Sequence, residues 1–506
     1  MASDDQEVVV FVHGWSVTHT NTYGGLPERL RAEAGAVGLN ISVREIYLGE
    51  YVSFRDEVRL EDISRGFDAA VRKELSGLLA DGRRFACITH STGGPVVRDW
   101  WNRYYASKPR SGRCPMSHLI MLAPANFGSA LAQLGKGRLS RIKTWSQGVE
   151  PGTGVLEWLE LGSREARKLN ESWIETDEKA IGPQGIYPFV ITGQTIDRKL
   201  YDHVNSYTGE LGSDGVVRVA SANLNSRHVV LEQEAPTAVP GRRGGWRAPR
   251  LVLRRYTTSP RVAMRVLHGK SHSGASKGIM RSVRSRRGRV EDAETVDVIL
   301  RCLVVRNRPD YAKLCDEFDF ETAAVQAEEL IEIENRFLLP DSYFIHDRFS
   351  MVIFRLRDDA GHPIEDVDLV LTAGKEHDPN RLPKGFFVDR QRNTLDRGTL
   401  TYYLNYDIMV GTGQIFDEDG GVLRPALRGA EMLGLSIRPM PTSGFVHYLR
   451  CDLQASRVVL RSFLKDNETT MVDIVLRRIV REGVFRLKTG LKRRSFKKDP
   501  VGGPIP

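Results

Sequence analysis

The sequence predicts an α/β fold, a mostly parallel sheet with helices on both faces, joined to a β-rich, sandwich-like C-terminal domain. Three observations carry that prediction. Between residues 8 and 280, short apolar runs of the kind that form strands buried on both faces alternate with stretches of helical spacing. At 85–104 a strand pattern passes directly into a helix pattern with no loop between them. From residue 343 onward the runs are short and alternating, and turn signals such as Asp358-Asp359-Ala360-Gly361-His362-Pro363 and Asp417-Glu418-Asp419-Gly420-Gly421 divide them, as in a β-sandwich.

The first run, Val8-Val9-Val10-Phe11-Val12, suits a central parallel strand and empties into His13-Gly14-Trp15-Ser16. A glycine there lets the backbone turn, which makes the Trp15 amide a candidate oxyanion donor and His13 a structural neighbour. Residues 26–34 read as helix, 41–48 as strand, and 62–79 as a second helix with Ile63, Phe67, Val71 and Leu75 at helical spacing. The serine turn follows, and then a buried strand at 118–124. From 130 to 182 the alternation stops. Leucines and tryptophans broken by glycines there read either as a lid-like insertion over a greasy substrate or as helices packed permanently on the core. Strand patterns return at 187–192, 251–257 and 261–267. In the second half, 290–308 and 320–337 are helix-like, and strands are expected at 350–356, 367–372, 399–403, 433–437, 446–449, 458–463 and 471–480.

The chemistry centres on Thr89-His90-Ser91-Thr92-Gly93-Gly94. A buried strand that turns at once into a helix lifts the Ser91 hydroxyl clear of the sheet. It also aims the Thr92 amide and the helix N-terminus at negative charge forming on a bound carbonyl. Small residues are needed on either side of such a turn; Gly93 meets this, and Thr89 stands where glycine is usual. Asp214, between small residues in Gly212-Ser213-Asp214-Gly215-Val216-Val217, suits an acid that orients a histidine, with Asp197 and Asp202 as alternatives. The histidine is expected in the loop His268-Gly269-Lys270-Ser271-His272-Ser273-Gly274, after a late strand. His272 lies deeper in that loop than His268 and is preferred; His228 is a third candidate. The chain order is then Ser91, Asp214, His272.

Length and charge frame the rest. The 506 residues leave room for about two or three domains. These are expected at 1–289 for the α/β unit, 290–340 for a partly helical connection and 341–488 for the β-rich domain, with 489–506 a basic tail. No apolar run reaches the ~18 residues of a membrane span, and the acidic start differs from a signal peptide. The chain is thus expected to be made in the cytoplasm and, where exported, to use a signal-independent system. Five scattered cysteines without C-x-x-C spacing suggest neither a disulfide framework nor a zinc site. The Asp417 cluster reads as a hairpin turn in preference to a calcium loop. The net charge of +9 is uneven: 15 Lys/Arg and no Asp or Glu lie between Gly241 and Arg289, with a second cluster from Lys488 to Lys498. Without a nucleic-acid-binding signature beside that charge, an anionic membrane surface is the expected partner, and nucleic acid is not.

Residues 8–280 resemble the α/β-hydrolases of the lipase and phospholipase branch. The resemblance rests on Val-His-Gly-Trp at 12–15, the Ser91 turn, Leu-Ala-Pro-Ala-Asn-Phe-Gly-Ser at 122–129, the Asp214 loop and the His272 loop, in that order. It implies a serine hydrolase of carboxylic esters that works through an acyl-enzyme, with a lipid or phospholipid substrate and no organic cofactor or metal. A lipase without a signal peptide and with a β-rich extension is also similar to lipase effectors of bacterial type VI secretion. That likeness implies a toxin with an immunity protein and a secretion-apparatus partner. The competing description is a catalytically silent hydrolase scaffold whose β-domain binds a partner.

Overall fold

The computed structural model describes residues 6–12, 20–46, 56–106, 113–133, 152–196, 210–235, 249–286, 290–334 and 342–481. The chain opens with β1 (Glu7–Val12), α1 (Leu26–Glu33), β2 (Ile41–Ile46), α2 (Leu60–Glu74), α3 (Ser76–Ala80), β3 (Phe85–His90), α4 (Gly93–Trp101) and β4 (Met116–Leu122). It continues through α5 (Thr153–Leu159), α6 (Arg164–Ile174), β5 (Tyr187–Gly193), α7 (Val219–Ala222), β6 (Ser226–Gln233), β7 (Leu251–Thr258) and β8 (Ala263–Leu267). Six parallel strands form the first sheet in the order β2-β1-β3-β4-β5-β8. Val9, Val10, Phe11, Ile88, Phe189 and Val190 are buried in it, because helices on both faces leave no side of these strands to water. On α2 the Ile63, Phe67 and Val71 stripe faces inward. Phe67 meets Trp100 of α4 edge to face at 5.1 Å, and the Trp100 indole N–H donates to Asp68. The strand order reverses between β1 and β3, and open α/β sheets hold their ligands at the carboxyl ends of strands flanking such a reversal.

Two segments fold differently from expectation. Helices α8 (Val290–Leu303) and α9 (Arg308–Glu328) pack on the first sheet and do not bridge two domains. Val296, Ile299 and Leu303 lie in the same core as β1 and β3. Thr322 accepts the Val266 N–H of β8, and the Tyr311 hydroxyl donates to the Pro188 carbonyl of β5. An amphipathic helix buries its apolar stripe on the nearest uncovered face, and here that face belongs to the edge strand β8 and its neighbour β5. The helix-like pattern at 320–337 stops at Glu328, and the two-stranded ribbon β9 (Ile331–Glu334) with β10 (Ser342–Ile345) follows.

The C-terminal half comprises β11 (Phe349–Asp358), β12 (Val367–Ala373), β13 (Phe387–Arg392), β14 (Thr399–Asn405), α10 (Tyr406–Val410), β15 (Ile415–Phe416), β16 (Val422–Arg424), β17 (Met432–Pro439), β18 (Val446–His447), β19 (Cys451–Ser456), α11 (Arg457–Phe463), β20 (Thr469–Leu476) and β21 (Ile479–Val480). A second six-stranded sheet, β13-β14-β11-β20-β6-β7, faces a three-stranded one, β12-β17-β19. The hairpin β6–β7 thus leaves the α/β unit, completes the C-terminal sheet through parallel pairing of β6 with β20, and returns as β8. The second sheet is buried on both faces. Val352, Phe354, Tyr402 and Leu404 pack toward the three-stranded sheet, whereas Met351, Ile353 and Tyr403 pack against Phe127, Leu161 and Ala220 of the α/β unit. The expected boundary at residue 289 therefore does not separate the two halves in space. Residues 457–463 form a helix, not the strand expected at 458–463. Ser456 caps it, its hydroxyl accepting the Val459 N–H, and Val458 is 80% exposed; a short apolar run suits either state until its ends are known.

The described part of the 130–182 insertion is fixed to the core. Val155, Leu156, Trp158 and Leu159 of α5 are buried, and Trp173 of α6 stands 5.9 Å from Trp101; residues 134–151 lie outside the described residues. The Arg167 side chain of α6 donates to Asp473 of β20. That carboxylate also takes Arg355 and the Nε2–H of His228, and these partners hold its pKa below the usual carboxylate range against the effect of burial. Much of the basic run is neutralised by acids from other elements: Arg254 by Glu232, Arg255 by Glu175, Arg261 by Asp316 and Asp319, and Arg265 by Glu294 and Glu321. Residues 236–248 and the tail from 482, with the Lys488–Lys498 cluster, lie outside the described residues.

Candidate active site

Ser91 ends β3 with a backbone φ of 53°, a left-handed conformation that is strained for a side-chain-bearing residue and recurs at nucleophile turns. The turn is locked from below. The Ser91 N–H donates to Leu122 O, and Ser91 O accepts from the Gly94 and Ala125 amides. Gly94 is required by close approach, since a Cβ there would stand 2.9 Å from the Pro124 ring. Thr92 is buried and caps α4, so its amide follows the serine at the positive end of a nine-residue helix.

His272 reaches this turn from the loop after β8. Its Nε2 lies 3.1 Å from Ser91 Oγ and its Nδ1 lies 2.8 Å from Asp214 Oδ2. The acid has no exposed surface. Its other oxygen, Oδ1, accepts the Val216 and Val217 N–H groups at 3.0 and 2.8 Å, and the His272 N–H donates to the Asp214 carbonyl at 2.9 Å. With Asp214 as acceptor, the imidazole carries its proton on Nδ1 and turns a lone pair toward the serine hydroxyl. The arrangement can take a proton from Ser91 as its oxygen attacks and return it to a leaving group.

Several contacts were invisible in the sequence. His90, inside the serine motif, contacts the His272 carbonyl through Nε2 at 3.1 Å, and the two rings stand 4.8 Å apart. Ser129, at the end of the 122–129 motif, donates to Val216 O at 2.6 Å and pins the acid's loop. His268, the alternative base, points to the surface at 44% side-chain exposure, beside Glu328 and Glu329. His228 is committed to Asp473 in the second sheet. Trp15, Asp197, Asp202 and His13 lie outside the described residues. Among the described residues, Glu171, His228 and Asp473 form a group whose ligand atoms lie close enough together to hold a metal. Arg167 and Arg355 already pair with its carboxylates, which makes it a buried ion network. Asp417 folds back on its own turn, accepting the Asp419 and Gly421 amides. No helix among the described residues is long and apolar enough to cross a membrane.

No family model matches the chain, and no curated protein matches it. Among solved structures, the phospholipase PlaB from Legionella pneumophila is 46% identical, with all of this chain and all of that chain covered and a TM-score of 0.82. A second structure of PlaB, in complex with thio-NAD, is 45% identical over 99% of this chain and 100% of that one, with a TM-score of 0.81. The likeness spans both halves of the chain, the C-terminal β-rich half included. The chain therefore belongs to the family of the phospholipase PlaB and is a hydrolase of the lipase and esterase class.

Proposed function

We propose that the chain is a serine-dependent phospholipase: Ser91 attacks an acyl ester carbonyl of a membrane phospholipid, His272 is base and then acid, and Asp214 orients it. The observation that carries this reading is the continuous relay from Asp214 through His272 to Ser91, on a serine held in a strained turn. In the first step the Ser91 oxygen bonds to the carbonyl carbon as its proton passes to His272. Collapse of the tetrahedral intermediate expels the alcohol, which takes that proton, and water then releases the acyl group by the same path. The Thr92 amide, with Trp15 as the second donor, stabilises the oxyanion. Family membership supports the lipid ester substrate. No described feature favours a toxin role, an immunity partner or a silent scaffold.

The test is fatty-acid release from mixed phospholipid vesicles by wild type beside Ser91→Ala, with fluorophosphonate labelling and mass spectrometry to locate the modified residue. Release by wild type alone, with the label on Ser91, is expected. Release by Ser91→Ala at the wild-type rate would refute the assignment.

A further inference from the structure

The loop that carries Asp214 is held from both sides, and one of the two sides belongs to the C-terminal sheet. From the α/β unit, Ser129 anchors Val216. From the second sheet, Tyr403 in the middle of β14 is fully buried, and its hydroxyl stands 3.1 Å from the carbonyls of both Leu211 and Gly212, two and three residues before the acid. Gly212 has a φ of +72°, and a Cβ there would lie 2.4 Å from that hydroxyl and 2.3 Å from the Phe349 ring. The loop backbone is thus seated directly on the second sheet. Phe349 stacks on the Tyr403 ring at 4.7 Å and fixes its direction. On the other edge of the ring, the buried Arg218 guanidinium lies 4.1 Å from the centroid. Arg218 ends the loop and pairs with Glu210, which begins it, and with Asp389 of β13. Burial pushes the Tyr403 phenol well above its usual pKa, so it remains a donor.

Resting on the Ser91 reading above, we infer that Tyr403 is a positioning residue for the ester hydrolysis: through its hydroxyl on the Leu211–Gly212 backbone, with Arg218 and Asp389 closing the loop, the C-terminal sheet sets where Asp214 holds His272. The C-terminal half is then part of the catalytic apparatus and not an appended module. An acid displaced by a fraction of an ångström still folds into place and still binds substrate, but it orients the imidazole poorly, so the loss appears in turnover.

The experiment compares Tyr403→Phe with Tyr402→Phe, its neighbour on β14. Tyr402 is equally buried, but its hydroxyl donates to Leu369 on the opposite, three-stranded sheet. Steady-state hydrolysis of p-nitrophenyl butyrate and the rate of fluorophosphonate labelling at Ser91 are read for both, with Asp389→Asn as a second variant on the same clamp. The expected result is a loss of about tenfold in kcat at unchanged KM for Tyr403→Phe, matched slowing of Ser91 labelling, a similar loss in Asp389→Asn, and Tyr402→Phe within about twofold of wild type. Wild-type kcat in Tyr403→Phe, an equal loss in Tyr402→Phe, or a loss confined to KM overturns the inference while leaving the Ser91 reading intact. Wild-type protein that never labels at Ser91 overturns both.

Discussion

Replacing Asp214 by asparagine tests the relay most directly, because the structure dictates which way the amide must face. Asp214 Oδ1 accepts two backbone N–H groups, from Val216 and Val217. The asparagine carbonyl oxygen must stay there, since turning the NH2 toward two donors would leave both buried amides unpaired, at about 1–3 kcal/mol each. The NH2 therefore faces His272 Nδ1, 2.8 Å away in the parent chain. Now a donor, it forces the imidazole to accept at Nδ1 and carry its proton on Nε2, where it points at Ser91 Oγ. In that tautomer His272 cannot take the serine proton. The same substitution in a serine-protease triad lowers kcat about 10^4-fold, equivalent to about 5 kcal/mol of transition-state stabilisation. Nothing else around the loop need move, so the fold and the unfolding midpoint should be nearly unchanged. The assay is hydrolysis of a soluble ester near neutral pH, with circular dichroism and thermal unfolding alongside. A folded Asp214→Asn protein with kcat within about tenfold of wild type would refute the reasoning.

Two further outcomes follow from the same geometry. Gly212→Ala places a Cβ against Phe349 and Tyr403 and keeps a left-handed φ. It should lower stability by about 2 kcal/mol or more and reduce turnover with it, as read by denaturant unfolding and ester hydrolysis. The His118 side chain is buried against the Val305 carbonyl, and burial, the dominant cause, pulls its pKa from 6.5 down to about 3. A depressed folded-state value means that the unfolded chain binds this proton first. The stabilisation is complete above pH 6.5 and is lost as pH falls from there toward 3, by up to a few kcal/mol. Urea unfolding across that range should show a slope that His118→Asn removes; an identical slope in the variant would exclude His118 as its source.

The sequence marked the three site residues because each has a local signature. Ser91 sits where strand becomes helix without a loop, Asp214 among small residues, and His272 deep in a Gly/Ser loop after a late strand; the structure brings these three together. The strands β1, β3, β4 and β5 were legible as well, since burial on both faces leaves an unbroken apolar run. What stayed hidden is pairing across distance. Nothing in β7 says that it joins a sheet completed by β20, more than 200 residues later, and nothing in Arg261 or Arg265 says that acids on α8 and α9 will neutralise them. His268 and His272 share one loop, and only its path shows one at the surface and the other at Ser91. Tyr403 reads as one more inward-facing strand residue; that its hydroxyl meets Gly212, 191 residues away, depends on how the second sheet docks. Periodicity and turn chemistry fix geometry over a few residues, so they revealed the chemical groups and the local elements that carry them. The partners of those groups follow from long-range packing, which no local pattern encodes, and so the seating of the Asp214 loop on the C-terminal sheet emerged only from the folded molecule.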